Sequence, residues 1–174
     1  MNTTFLLSTV AVMAMAAVAS RAEGADAGLR ITSTAFAKDQ EIPKRFTCDG
    51  ENVSPPLAWS GAPEGTKAFA LIVDDPDAPS GLFTHWIVFN LPASTHSLPE
   101  GVKPAANQGT NDFGKPGYGG PCPPRGRHRY FFHLYALKDE LSGLKSPNRK
   151  QIDAALKGHV IAQATLMGTY QRER

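Results

Sequence analysis

Apolar residues in this chain fall mostly into short runs with a period of two. Lys67–Asp74 (KAFALIVD) puts Phe69, Leu71 and Val73 on one side and Ala68, Ala70 and Ile72 on the other. Both sides are apolar, so the pattern predicts a central strand covered on two faces. Phe83–Leu91 (FTHWIVFNL) is rich in aromatic and β-branched residues and reads as the next strand. His128–Leu137 (HRYFFHLYAL) reads as a third, apolar on both faces, with His128, Tyr130, Phe132 and Leu134 sharing one of them. Leu29–Ser33 is a short first strand, and His159–Tyr170 a loosely alternating last one.

Between these runs the pattern breaks. Phe46–Trp59 is turn-rich, with Asp49-Gly50 and Ser54-Pro55-Pro56. Pro92–Pro124 is long, rich in Gly, Pro and Asn, and weakly periodic, which is where function concentrates in a compact domain. A helical spacing occurs once, in Asn148–Lys157, through Ile152, Ala155 and Leu156. Ser146 is the expected cap, Pro147 the first helical residue and Gly158 the stop. Many strands and one late helix predict a mainly β fold: an antiparallel β-sandwich of two sheets with one or two short helices late in the chain.

Composition agrees with that reading. The chain has 174 residues, which suits one domain over residues 23–174. Hydrophobic residues make up 41% and charged residues 20%, enough for a packed core. Sixteen Gly and fourteen Pro fit strands joined by shaped turns. A net charge of +2 implies no broad basic surface for nucleic acid. Phe5 to Ala19 is a continuous apolar run, short for a membrane span and the right length for a signal-peptide core. Ala17-Val18-Ala19 or Ser20-Arg21-Ala22 would serve for cleavage. Residues 1–22 are therefore read as a signal peptide and the mature protein as periplasmic or secreted, with an N-terminal membrane anchor as the alternative. In an oxidising compartment the only two cysteines, Cys48 and Cys122, favour a disulfide; two buried thiols are the alternative. A lone pair without CxxC spacing does not point to zinc, and no cofactor is implied.

Two segments carry the candidate chemistry. In the first, Asp74-Asp75-Pro76-Asp77-Ala78-Pro79 precedes His85-Trp86. Asp75 continues the face of Phe69, Leu71 and Val73, and a carboxylate at the end of an apolar face needs a partner. In the second, Gly119-Gly120-Pro121-Cys122-Pro123-Pro124 leads into Arg127-His128-Arg129-Tyr130. Its glycines permit backbone shapes that turn N–H groups towards a ligand, and its prolines stiffen the loop. Together the segments read as walls of a polar pocket for an anion, met by amide, imidazole and phenol groups. Arg129 points away from His128 and Tyr130, so an ion pair with Asp75 or Asp77 is expected. His133 lies on the face opposite His128, so the two do not share a metal.

These residues resemble the phosphatidylethanolamine-binding protein family, which includes the Raf kinase inhibitor proteins, and its bacterial and archaeal branch above all. The likeness runs from about Leu29 to Arg172. Its anchors are Thr47-Cys48-Asp49-Gly50-Glu51-Asn52-Val53-Ser54-Pro55, the Asp75–Pro79 motif, His85-Trp86, the Gly119–Pro124 segment with His128-Arg129-Tyr130, and the stretch from Gly158-His159-Val160 to Gly168-Thr169-Tyr170. The resemblance implies a β-sandwich with a small anion pocket near one end, lined by Asp75, His85, Gly120, Cys122, Pro124, His128 and Tyr130. It implies phosphate-like or carboxylate ligands, with a phosphoethanolamine lipid head group among them. Three departures bear on the pocket. Pro124 to His128 is short beside animal members, Phe83-Thr84 stands where they carry Trp-His, and no counterpart of their C-terminal helix follows Tyr170.

Three functions follow from this reading. The first is an exported binding protein for a small anionic or phosphorylated ligand. The second is an inhibitor of a protease or other partner, acting through Pro92–Pro124. The third is a hydrolase using Asp75 with His85 or His128; no Gly-x-Ser-x-Gly nucleophile accompanies them.

Overall fold

The computed structural model describes residues 28–102 and 107–173. The expected signal peptide, residues 1–22, lies outside them. Among the described residues, seven strands, one α-helix and a 3-10 turn form the fold. Three short strands, β1 (Arg30–Thr32), β2 (Leu57–Ser60) and β5 (Ser97–Leu98), make one antiparallel sheet in the order β1-β2-β5. Four longer strands, β3 (Ala68–Asp75), β4 (Phe83–Pro92), β6 (Arg127–Leu137) and β7 (Val160–Gln171), make the other in the order β4-β3-β6-β7, also antiparallel. The architecture is the expected two-sheet β-sandwich.

The positions follow from side-chain chemistry. Every residue of β3 is buried, and β3 lies between β4 and β6. Phe69, Leu71 and Val73 face the inter-sheet core with Trp59, Trp86, Tyr130 and Phe132. Ala68, Ala70 and Ile72 face a second core under α1 (Arg149–Leu156), packed by Ile152 and Leu156. Strand β6 differs from its reading. Its inner face is buried, but Phe131, His133 and Tyr135 on the other face are only half-buried. The helix is eight residues long and covers only part of that face.

In the small sheet β1 falls within the expected first strand, Leu29–Ser33, while β2 and β5 are not legible in the sequence. Leu57–Trp59 lies in the stretch expected to be turn-rich and Ser97–Leu98 in the expected long loop, because four and two residues are too few to establish a period. The long loop is partly ordered by β4. The amide of Phe89 donates to the carbonyl of Asn107, and those of Gly109 and Gly119 donate to the carbonyls of Ile87 and His85. A sheet edge that would otherwise stay open is thereby closed.

The helix starts two residues later than expected. Asn148 is the cap: its Oδ1 accepts from the Gln151 amide at 3.0 Å, and the Gln151 side chain accepts from the Asn148 amide at 2.9 Å. Ser146 instead has φ +43°, a left-handed conformation that an unbranched hydroxyl residue adopts only under constraint. Replacing Asn148 with Ala is expected to lower unfolding free energy by about 1 kcal/mol in a denaturant titration. Ser146→Gly is expected to cost nothing or to stabilise, since it removes a left-handed side chain.

Candidate functional site

One backbone irregularity aims the site. Val73 pairs with Trp86 and Asp74 pairs with Thr84, so His85 is the extra residue of a β-bulge on β4. Strict alternation would send the His85 ring to the outer face with Ile87 and Phe89. The bulge returns it to the inner face, where it meets Tyr130 edge-on with ring centres 5.2 Å apart. Its Nδ1 lies 2.6 Å from the carbonyl oxygen of Gly119. A carbonyl only accepts, so Nδ1 carries a hydrogen and Nε2 is left for other partners. Burial pushes the His85 pKa down, against the opposing pull of the Gly119 carbonyl and the Asp75 charge.

Asp75 and His128 form the second element. Asp75 Oδ2 accepts from His128 Nδ1 at 2.7 Å, and both side chains are buried. Asp75 Oδ1 accepts from the amide of Asp77 at 2.8 Å, closing a turn over Pro76. The carboxylate is thus held from two directions. Asp77 takes the ion pair expected of Arg129: two guanidinium bonds at 2.7 and 2.9 Å and the Arg129 amide at 2.9 Å. That pairing holds the Asp77 carboxyl down to about 2.

Tyr130 is fully buried, and its Oη has no hydrogen-bond partner of acceptable geometry. Burial, reinforced by the Asp75 charge nearby, raises its pKa so far that the phenol keeps its proton. Its nearest acceptors are the Asp75 side chain and the Cys122 backbone, neither in good hydrogen-bond geometry.

The segment from Gly119 to Pro124 closes the wall. On one side Gly119 exchanges two bonds with His85, one from its amide to the His85 carbonyl and one from the imidazole to its own carbonyl. On the other side the amide of Gly120 donates to Asn52 Oδ1 at 2.7 Å, and the amide of Cys48 donates to the carbonyl of Pro121. A Cβ on Gly120 would lie 2.4 Å from the carbonyl oxygen of Phe46, so only glycine fits. Its amide, expected to face a ligand, is engaged by Asn52. A Cys48–Cys122 disulfide joins the two loops, 74 positions apart in sequence.

A cavity of about 370 Å³ opens above these groups. Asp75, His85, Cys122 and Pro124 line it, as do Ala78, Pro79, Ser80, Phe83 and Phe113. His128 lies behind the lining, bonded to Asp75, and Tyr130 packs on His85; Gly120 is outside the lining, against Phe46 and Asn52. Sequence reading placed Phe83 on the rim but missed Phe113. The one available signal was an isolated aromatic in the polar run Asn111-Asp112-Phe113-Gly114. It also missed Asn111, which is buried. Asn111 Oδ1 accepts from the amides of Phe113 and Lys115, and its Nδ2 donates to the carbonyl of Gly117. A larger hollow of about 780 Å³ lies on the far side of Pro124. Its walls are almost all exposed residues, and its Arg127 and Arg172 are paired with Glu41 and Asp49. Among the described residues no group of three or more His, Cys, Asp or Glu could hold a metal ion.

Comparison with known proteins places this arrangement. The family model described as phosphatidylethanolamine-binding protein matches residues 32–171. A UPF0098 protein of Aquifex aeolicus is 47% identical over 157 residues, spanning 83% of this chain and 90% of its own length. Another from Methanothermobacter thermautotrophicus is 47% identical over 150 residues, spanning 83% of this chain and 99% of its own. Among solved structures, a phosphatidylethanolamine-binding protein homologue of Chlamydia trachomatis superposes with a TM-score of 0.81 at 43% identity, covering 84% of this chain and 99% of that one. YbcL of E. coli, described as a member of the mammalian family, superposes with a TM-score of 0.76 at 36% identity, covering 83% of this chain and 99% of its own. The sheets, the match over residues 32–171 and these relatives agree: the chain belongs to the phosphatidylethanolamine-binding protein family.

Proposed function

We propose that this protein is an exported binding protein whose pocket over Asp75, His85 and Tyr130 holds the head group of a small phosphate-like or carboxylate anion, phosphoethanolamine-like ligands included. The observation that carries the reading is the Tyr130 hydroxyl. It is a buried donor whose nearest acceptors, the Asp75 side chain and the Cys122 backbone, stand outside good hydrogen-bond geometry, behind a cavity wall built by His85. A bond so poorly made is costly, and an oxyanion seated in the cavity offers a stronger acceptor. Cys122 and Pro124 shape the wall, Gly120 gives it room, and His128 holds Asp75 in place. The family membership points the same way.

Asp75 constrains the charge of the ligand. A carboxylate on the wall repels a second full negative charge. Both of its oxygens already accept hydrogen bonds, from His128 and Asp77. The site therefore favours an oxyanion that brings a proton, or one that draws a proton onto His85 Nε2. Either route gives binding that strengthens as pH falls.

Export rests on the apolar run at residues 5–19 and on the disulfide, which persists in oxidising compartments. The exported protein is expected to weigh about two hydrogens less than its reduced form in non-reducing mass spectrometry. Recovery of two free thiols from that compartment would overturn the assignment.

Inorganic phosphate or phosphoethanolamine is expected to raise the melting temperature of the mature chain. At a hundredfold excess over Kd the gain in stability is about 2.7 kcal/mol. His85→Ala is expected to abolish that increment, whatever it does to the ligand-free protein. No shift in the parent protein at millimolar ligand argues against the pocket.

The ligand-free protein carries the opposite pH dependence at His85. Its folded pKa lies below the unfolded value of about 6.5, so the unfolded chain binds the extra proton. That contribution is intact above about pH 6.5 and declines as pH falls through it. One proton is worth at most about 1.4 kcal/mol per pH unit. His85→Asn keeps a donor for the Gly119 carbonyl and is expected to flatten the decline between pH 7 and 5, measured by denaturant titration. An unchanged slope would place the titrating group elsewhere.

A further inference from the structure

An open sheet has two edges, and each presents unpaired N–H and C=O groups. In the four-stranded sheet the β4 edge is closed by the chain itself, through Asn107, Gly109 and Gly119. The other edge is β7. Its C-terminal half is closed in the same way. The amide of Asp39 donates to the Met167 carbonyl, that of Thr169 to the Gln40 carbonyl, and that of Ile42 to the Thr169 carbonyl. The N-terminal half has no such cover.

The register fixes which groups are left bare. β7 pairs with β6 without interruption from Gln171 back to Ala162. Thr169 and Met167 turn backbone groups outward, and every second residue of an antiparallel ladder does the same. Thr165 and Gln163 therefore turn both their amides and their carbonyls outward. Among the described residues no backbone or side-chain group meets those four. The bare stretch is bounded at both ends. On one side Ile161 is the extra residue of a bulge, since Ala136 pairs with Ala162 and Leu137 with Val160. On the other, Asp39 takes the Met167 carbonyl. Residues 162–166 remain, Ala-Gln-Ala-Thr-Leu, with none of the charges or prolines that guard an exposed edge. Val160 and Ile161 adjoin them, two of the four large apolar side chains that stand exposed among the described residues.

We propose that β7 pairs with β7 of a second copy of this chain, antiparallel about a two-fold axis at Ala164, joining two four-stranded sheets into one of eight strands. The bare groups set the register. With Ala164 opposite its own copy, Gln163 faces Thr165 of the second copy, and each such pair exchanges two N–H···O bonds. Four bonds then use every outward group of Gln163 and Thr165 on both copies. The ladder ends at the bulge of one copy and at the Asp39 segment of the other, and displaces neither. Ala164 is also the midpoint of the bare stretch. The lack of charge has a direct use here. A two-fold interface brings each residue close to its own copy, and like charges so placed repel. On the outer face the pairing sets the Gln163 carboxamide beside the Thr165 hydroxyl, a neutral polar pair. This inference does not rest on the anion pocket, which is built on β3, β4 and β6.

Sedimentation velocity of the mature chain over a series of concentrations tests it. The parent protein is expected to pass from monomer to dimer as concentration rises. Gln163→Pro removes one outward amide and no bond within the sheet, a change that an edge strand tolerates. It is expected to weaken the dimer by about tenfold or more. Gln163→Lys keeps every backbone group and is expected to weaken the dimer more at low salt than at high salt. Near-UV circular dichroism checks that both variants fold. Ala164→Cys is expected to form a covalent dimer on oxidation, because facing residues of a pair without hydrogen bonds lie about 4.5 Å apart at Cα, within disulfide reach. Gln163→Cys lies diagonal to its own copy, about 7–8 Å away, and is expected to stay uncrosslinked. A parent protein that is monomeric at every concentration overturns the proposal and leaves the edge to a strand of another protein. A dimer untouched by both Gln163→Pro and Gln163→Lys belongs to another surface and overturns it as well. Crosslinking through Gln163→Cys but not Ala164→Cys overturns the register.

Discussion

His85 and Gly119 are joined by two hydrogen bonds, a backbone bond of 3.0 Å and the 2.6 Å bond from the imidazole to the Gly119 carbonyl. Nearly every feature of the pocket depends on that link. It fixes the Gly119–Pro124 segment against β4, sets the imidazole hydrogen on Nδ1, and leaves Nε2 unengaged by the carbonyl. It also carries Phe113, which packs on the bare Cα of Gly119. The other side of the segment is held by Asn52 and by the disulfide to Cys48. A loop tied from both sides has little freedom left to lose, so the cavity wall is preformed.

Two adjacent carboxylates at the end of β3 serve different networks. Successive side chains on a strand point to opposite faces. Asp75 turns inward to His128. Asp74 turns outward to Arg149 at the start of α1, and Arg149 also bonds Asp153 at 3.0 Å. Burial raises the Asp74 carboxyl despite the guanidinium beside it. Removing one partner from a buried pair leaves an uncompensated charge, so Arg149 is a clamp on the helix rather than an ornament of it. The inner carboxylate belongs to the pocket and the outer one to the packing of the sheet.

Much of the site was legible because it follows from alternation. The shared face of His128, Tyr130 and Phe132, the burial of both sides of Lys67–Asp74, and the outward turn of Arg129 need only the covalent period of a strand. An ion pair of Arg129 with Asp75 or Asp77 followed from charge and face together, and the fold selects Asp77. The short strands β2 and β5 were not legible, since too few residues repeat to make a period. The helix cap slipped by two residues because Ser146-Pro147 and Asn148 both match a start signal, and only the local backbone chooses between them.

What the chain settles alone is local: where strands run, which faces are apolar, where proline and glycine interrupt, and which chemical groups stand at strand ends. These are consequences of dihedral geometry over a few residues. The tertiary structure decided the rest. The bulge that turns His85 inward arises from the pairing of β4 with β3. The Gly120 amide is taken by Asn52, 68 positions away. Phe113 reaches the pocket because Asn111 and Gly119 hold its loop there. Each depends on groups that meet only after the chain has folded, and no periodicity along the sequence encodes such a meeting.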